Sequence, residues 1–136
     1  MRFLIDTQCW LWAYSARERL NDTAWKQMRS GENIVIFSAV SVAEIAIKAR
    51  VGKLTLPSPA KEFFATKIPE SSVSTLPLYV HHALRVAEMP LHHRDPFDRL
   101  LVAQAQAEGL PLMTADPKLA KYDVEIIWAG KEPPPA

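Results

Sequence analysis

One cysteine, Cys9, stands among 136 residues, which excludes an internal disulfide and any zinc or iron-sulfur centre built on several cysteines. A thiol so isolated is read as packing rather than reacting, in a reducing compartment. An excess of one charge is lacking too. Sixteen basic against fifteen acidic residues leave a net charge of +1, too weak a field to draw nucleic acid or an anionic membrane to the whole surface. Any contact with nucleic acid must be local. No apolar run approaches the roughly 20 residues of a membrane span, and the apolar start is interrupted by Asp6 and Gln8 before it reaches the length of a signal peptide. The expected location is cytoplasmic, with no membrane partner, and no internal repeat is visible.

What is present points to one globular domain. Hydrophobic residues at 49% and charged residues at 23% indicate neither disorder nor a fibrous fold, and the length suits a unit that buries about two-thirds of its unfolded surface. Phe3-Leu4-Ile5 is too short for a helix and unpatterned, as expected of a strand buried on both faces, and Ile34-Val35-Ile36-Phe37 reads the same way. Helices are expected from Cys9 to Tyr14, from the starter residues Asn21-Asp22-Thr23 to Gly31, and from Ser38 or Ser41 to Gly52, the last with Val42, Ile45, Ala46 and Ala49 on one stripe. After Pro57 and Pro59 the pattern gives a helix through Phe63 and Phe64, a weak strand from Val73 to Leu76 and a helix from Tyr79 to Glu88. Asp95-Pro96 opens a helix to Glu108 that Gly109 closes, and strands at Leu112 to Thr114 and Val124 to Trp128 follow. This alternation predicts an α/β fold with a mostly parallel sheet of four to five strands, covered on both faces. The domain is drawn over 1–128, and 129–136, with three consecutive prolines, as a flexible tail.

In a parallel sheet all strand carboxyl ends lie along one edge, and ligands bind there where strand order reverses. Acidic residues fall at those ends. Asp6 closes the first strand, Asp116 follows Thr114 by two residues, Glu44 is placed in the first turn after the second strand, and Asp98 in the first turn of the late helix. Singly, each has a structural explanation. Ser41-Val42-Ala43-Glu44 fits a capping box, Asp95-Pro96-Phe97-Asp98 an N-cap followed by a first-turn acid, and Asp116 and Asp6 fit N-caps. Capping alone does not require the acids to share one edge. Four carboxylates brought together repel unless a cation sits between them. A hard divalent ion such as Mg²⁺, with Mn²⁺ as a substitute, accepts carboxylates and leaves positions for phosphate oxygens.

The same segments carry a family resemblance. The strand ending in Asp6-Thr7, the run Glu44-Ile45-Ala46-Ile47-Lys48 continued by Gly52-Lys53-Leu54, the run His92-His93-Arg94-Asp95-Pro96-Phe97-Asp98-Arg99-Leu100-Leu101, and Thr114-Ala115-Asp116 together resemble a PIN domain. More closely, they resemble the VapC-like toxins of bacterial type II toxin-antitoxin pairs. The similarity covers residues 1 to about 128 in order. It implies a three-layer α/β/α sandwich and a Mg²⁺-dependent endoribonuclease that leaves 5′-phosphate and 3′-hydroxyl ends. Asp6 and Asp98 would be the principal metal ligands, Glu44 a ligand or the group orienting the attacking water, and Asp116 a ligand to a second or weaker ion. An RNA substrate, a cognate antitoxin inserting a peptide near the active site, and a homodimer are implied as well.

Around the acids, Thr7 and Thr114 are candidate partners of the ligands, and Asp95 either positions Asp98 or caps its helix. Lys48, four residues after Glu44, is a helix ion-pair partner or an RNA contact. Arg94 and Arg99 flank the site and are candidate phosphate contacts. His92 and His93, adjacent in a loop, are expected to diverge and face solvent, so no zinc site is assigned. Trp10, Leu11, Trp12 and Tyr14 read as core or as a partner surface. Two other functions stay open. One is a PIN-fold protein that binds RNA or regulates without cleaving. The other is a phosphoacceptor signalling module, which would usually pair acids after its first strand, where Asp6 is followed by Thr7 and Gln8.

Overall fold

Alternation along the strands explains the layering. Phe3 and Ile5 of β1 (Arg2–Ile5) and Phe37 of β2 (Ile34–Ser38) face one core, whereas Leu4 and Ile36 face the other. Strands buried on both faces need apolar residues at consecutive positions. The computed structural model describes residues 1–134 and completes the sheet with β3 (Ser74–Leu76), β4 (Leu112–Thr114) and β5 (Ile126–Trp128), in the order β3-β2-β1-β4-β5. Every neighbouring pair is parallel.

Helices cover both faces. On the first, α1 (Thr7–Ser15) and α4 (Ala60–Ser71) supply Trp10, Phe63 and Phe64, and Trp10 stacks on Phe37 with ring centres 4.5 Å apart. Trp10 is therefore core. Cys9 is fully buried there, and burial first, then the field of Asp6, pushes its thiol well above the ordinary range. It packs, as expected. On the second face, α6 (Pro96–Glu108) contributes Leu101, Val102 and Ala105. Helix α2 (Asp22–Arg29) sends Ala24 into the first core, and α3 (Ala39–Arg50) reaches both through Ile45 and Val40. The short α5 (Val80–Arg85) packs on α6. No helix among the described residues is long and apolar enough to cross a membrane.

Of the two helix starts offered by the sequence one is used, and packing reaches past the drawn domain boundary. Helix α3 starts from Ser38, whose hydroxyl accepts the Val40 N–H at 2.9 Å. Glu44 thus falls in the second turn, and the capping box expected between Ser41 and Glu44 does not form. At the other end, packing continues past the 128 boundary. Ala129 is fully buried, Gly130 bridges antiparallel to Leu20, and the Asn21 side-chain amide donates to the carbonyls of Trp128 and Gly130 at 2.9 and 3.0 Å. The tail expected over 129–136 ends with positions 135 and 136, which lie outside the described residues.

The chain leaves β1 toward β2 and β3, then returns to add β4 and β5 on the other side of β1. The order therefore reverses between β1 and β4, which fixes where a ligand site is built.

Candidate metal centre and active site

Asp6 and Asp116 flank that reversal. Leu4 pairs with Leu112 and Ile5 with Met113, and the Asp6 N–H donates to the Met113 carbonyl at 3.0 Å, so β1 and β4 end side by side. Asp6 then caps α1 by accepting the Cys9 N–H at 2.7 Å. Thr114, fully buried, donates its hydroxyl to Asp6 Oδ2 and accepts the Asp116 N–H at 3.0 Å. One threonine thereby fixes two acids. Glu44 arrives from α3 and Asp98 from the first turn of α6, where Asp95 accepts the N–H groups of Phe97 and Asp98 at 2.9 and 3.1 Å. Asp6, Glu44, Asp98 and Asp116 line one cleft of about 500 Å³, joined by Asp95, Lys48 and Lys53.

The cleft is electrostatically unfinished. Burial first, then the charges of Asp95, Glu44, Asp6 and Asp116, push the Asp98 carboxyl up to about 8. Burial also raises Asp6, against the stabilising hydrogen bonds of Thr114 and Cys9. Glu44, with only 7% of its side chain exposed, pairs one oxygen with Lys48, while buried Oε1 has no hydrogen-bond partner among the described residues. Burial works to lower the Lys48 ammonium, yet the Glu44 bond and the fields of Glu44, Asp95 and Asp98 leave it raised. A buried carboxylate oxygen without a donor, among acids that resist ionising together, is the environment a hard cation completes. The donor set fits a divalent ion with oxygen ligands.

The supporting residues divide. Thr114 and Asp95 sit where expected, and Asp95 both caps α6 and contributes charge to the cleft. Thr7 also lines the cleft, but its hydroxyl donates to Ser41 at 2.8 Å rather than to an acid. Lys48 forms the expected helix pair and still faces the cleft. Arg99 is a correction: its guanidinium donates to the carbonyls of Val86 and Met89 at 3.1 and 3.3 Å, tying α6 to the turn after α5. Arg94 is exposed and lies outside the residues that line the cleft.

Two residues escaped the sequence reading. His93 does not face solvent. Its side chain is 13% exposed, with Nε2 at 2.9 Å from Asp98 Oδ2 and 3.3 Å from Asp116 Oδ2. His92 diverges as expected and meets the Tyr122 ring edge-on. The Tyr122 hydroxyl, which accepts the His93 N–H at 3.1 Å, anchors the loop so that the second histidine turns inward. Lys53 is brought to the cleft by the end of α3. Gly52 takes φ 82°, and the Lys53 and Leu54 N–H groups both return to the Lys48 carbonyl, at 2.9 and 3.2 Å. A lysine immediately after a helix-ending glycine was the available signal.

A second group, His81, His82 and Glu108, also brings potential ligands together. The Tyr79 N–H donates to His82 Nδ1 at 3.1 Å, which leaves the ring proton on Nε2, 3.0 Å from Glu108 Oε2. The imidazole is committed to hydrogen bonds that join α5 to α6.

Residues 3–125 match the family model described as PIN domain. The chain belongs to the PIN domain family. Similar solved structures extend over nearly the whole fold. VapBC2 from Rickettsia felis, bound to a DNA fragment from its promoter, has a chain that aligns with TM-score 0.71 and 14% identity, over 95% of this chain and 99% of that one. For FitAcB from Neisseria gonorrhoeae the values are 0.59 and 21%, over 93% and 96%. For VapBC-5 from Mycobacterium tuberculosis, a member of the VapBC family of toxin-antitoxin systems, they are 0.59 and 24%, over 93% and 98%. No curated protein matches the chain. At these identities the likeness to VapBC and FitAcB chains is one of fold.

Proposed function

We propose that this PIN domain is a metal-dependent endoribonuclease acting as the toxin of a type II toxin-antitoxin pair, in the cytoplasm. The observation that carries the reading is the convergence of Asp6, Glu44, Asp98 and Asp116 on one cleft, with a buried Glu44 oxygen left without a donor. PIN domains are nucleases, and the proteins of similar fold include a member of the VapBC family of toxin-antitoxin systems. An antitoxin partner follows from that likeness, and a homodimer is proposed with it.

Asp6 and Asp98 would hold the ion, Mg²⁺ or Mn²⁺, Asp116 would hold a second or weaker one, and Glu44 would be a further ligand or the group that orients the attacking water. Such an ion, when bound, lowers the pKa of a water and offsets charge on phosphate oxygens. The chain supplies the rest. Thr114 keeps Asp6 and Asp116 in fixed relation. Asp95 holds the first turn of α6, so Asp98 cannot turn away. Lys48 and Lys53 give an acidic cleft two cations that meet the RNA backbone as local contacts, which suits a nearly neutral protein.

Purified protein is tested on RNA with and without Mg²⁺, beside Asp6→Asn and Asp98→Asn, and each is expressed in cells while growth and RNA integrity are followed. Cleavage and growth arrest by the wild type alone are the expected result. RNA binding without cleavage would favour a regulatory PIN protein instead.

A further inference from the structure

The metal-site reading leaves His93 without a role. Nε2 approaches two acids on different elements, Asp98 at the start of α6 and Asp116 beyond β4, at 2.9 and 3.3 Å. Donor atoms of His93, Asp98 and Asp116 all lie within 4.8 Å of one another. Adjacent ligands around an octahedral ion with bonds of about 2.1 Å are about 3 Å apart, so the spacing is that of neighbouring ligands. Glu44, which lines the same cleft as Asp98 and Asp116, keeps a buried Oε1 with no hydrogen-bond partner among the described residues. The other ring nitrogen is lightly held: the Asp95 N–H reaches His93 Nδ1 at 3.4 Å, against 3.1 Å for the bond that fixes His82. His93 can release that contact and carry its proton on Nδ1, which a ligating Nε2 requires.

We propose that His93 is a nitrogen ligand of the divalent ion in the acidic cleft, making a mixed oxygen and nitrogen site that prefers Mn²⁺ to Mg²⁺. The inference rests on the metal-site reading above and reverses the order of ions expected from the sequence, Mg²⁺ with Mn²⁺ as a substitute. Imidazole suits transition ions, whereas Mg²⁺ favours oxygen and keeps its waters. The Tyr122 hydroxyl takes part as a positioning group, because it anchors the backbone of the ligating residue.

The test is pulsed electron paramagnetic resonance of Mn²⁺ bound to the full chain, with Mn²⁺ and Mg²⁺ affinities measured by titration for the wild type, His93→Gln and His92→Gln. Imidazole nitrogen coupling is expected in the wild type and in His92→Gln and absent in His93→Gln. The Mn²⁺ over Mg²⁺ preference is expected to fall about tenfold or more in His93→Gln only. Bound Mn²⁺ without nitrogen coupling, or coupling that survives His93→Gln, would overturn the proposal. The wild-type spectrum alone decides the ligand question should His93→Gln not fold, since absence of coupling rejects it and coupling kept in His92→Gln supports it. Nitrogen coupling with no RNA cleavage would sink the ribonuclease reading while leaving His93 a ligand. Cleavage in Mg²⁺ with no coupling would do the reverse.

Discussion

Two groups of histidine and carboxylate lie at opposite roles in this molecule. In the pair joining α5 to α6, His82 is fully buried, both of its ring nitrogens have partners, and its acid, Glu108, sits at the surface with 34% of its side chain exposed. Hydrogen bonding to His82, more than the opposing desolvation, holds Glu108 below the ordinary carboxylate range. At the strand reversal, by contrast, one imidazole meets two acids, a carboxyl is driven up to about 8, and a buried oxygen lacks a donor among the described residues. The lesson is that similar residues make a structural tie when donors and acceptors balance, and leave charge uncompensated when acids outnumber them.

The sharpest way to break the contrast is neutralisation. Asp98→Asn should cut RNA cleavage at least about a hundredfold, since the metal's charge stabilisation is worth several kcal/mol, while Glu108→Gln should leave cleavage unchanged in single-turnover assays. Without an ion, Asp98→Asn should unfold at higher urea than the wild type at pH 8, because one repelling charge is gone.

Changing the pH should pull the two groups in opposite directions. Folded Asp98 keeps its proton to about 8 whereas the unfolded chain releases it near 3.8. The folded state therefore binds more protons in that window, and its stability falls as pH rises, by at most about 1.4 kcal/mol per pH unit for this group. Saturating Mn²⁺ should reverse the slope, because the ligands bind it deprotonated. Glu108 has the other sign. Its folded value lies below 4.5, so its contribution is present above that value and is lost as pH falls through the folded one. Urea midpoints from pH 3 to 9, with and without Mn²⁺, would check both slopes.

Smaller effects sharpen the picture. Glu108→Ala, which removes the acceptor for His82 Nε2, should cost about 1 kcal/mol of stability, the worth of one hydrogen bond, read from urea unfolding. Lys53→Ala should raise KM for RNA a few-fold and reduce the salt dependence of binding by about one phosphate contact, with little change in kcat.

Much of this was legible in the chain. Consecutive apolar residues at Phe3 to Ile5 and Ile34 to Phe37 announce strands buried on both faces, and alternation with helices predicts the parallel sheet that places Asp6 and Asp116 on one edge. What stayed hidden depended on contacts across long separations. Arg99 faces backbone carbonyls of a preceding turn, which no local pattern encodes. His93 turns inward because Tyr122, 29 residues away, takes its N–H. The Ser41 to Glu44 spacing suggested a cap, but Ser38 had already supplied one.

The central claim is that the acids at the strand reversal coexist by holding a divalent ion. Calorimetric titration of Mn²⁺ into the metal-free chain at pH 7, in two buffers of different ionisation enthalpy, tests it most directly. Binding with release of a proton, abolished or strongly weakened by Asp98→Asn and untouched by Glu108→Gln, is the predicted result. No binding, or binding that Asp98→Asn leaves intact, would contradict the account.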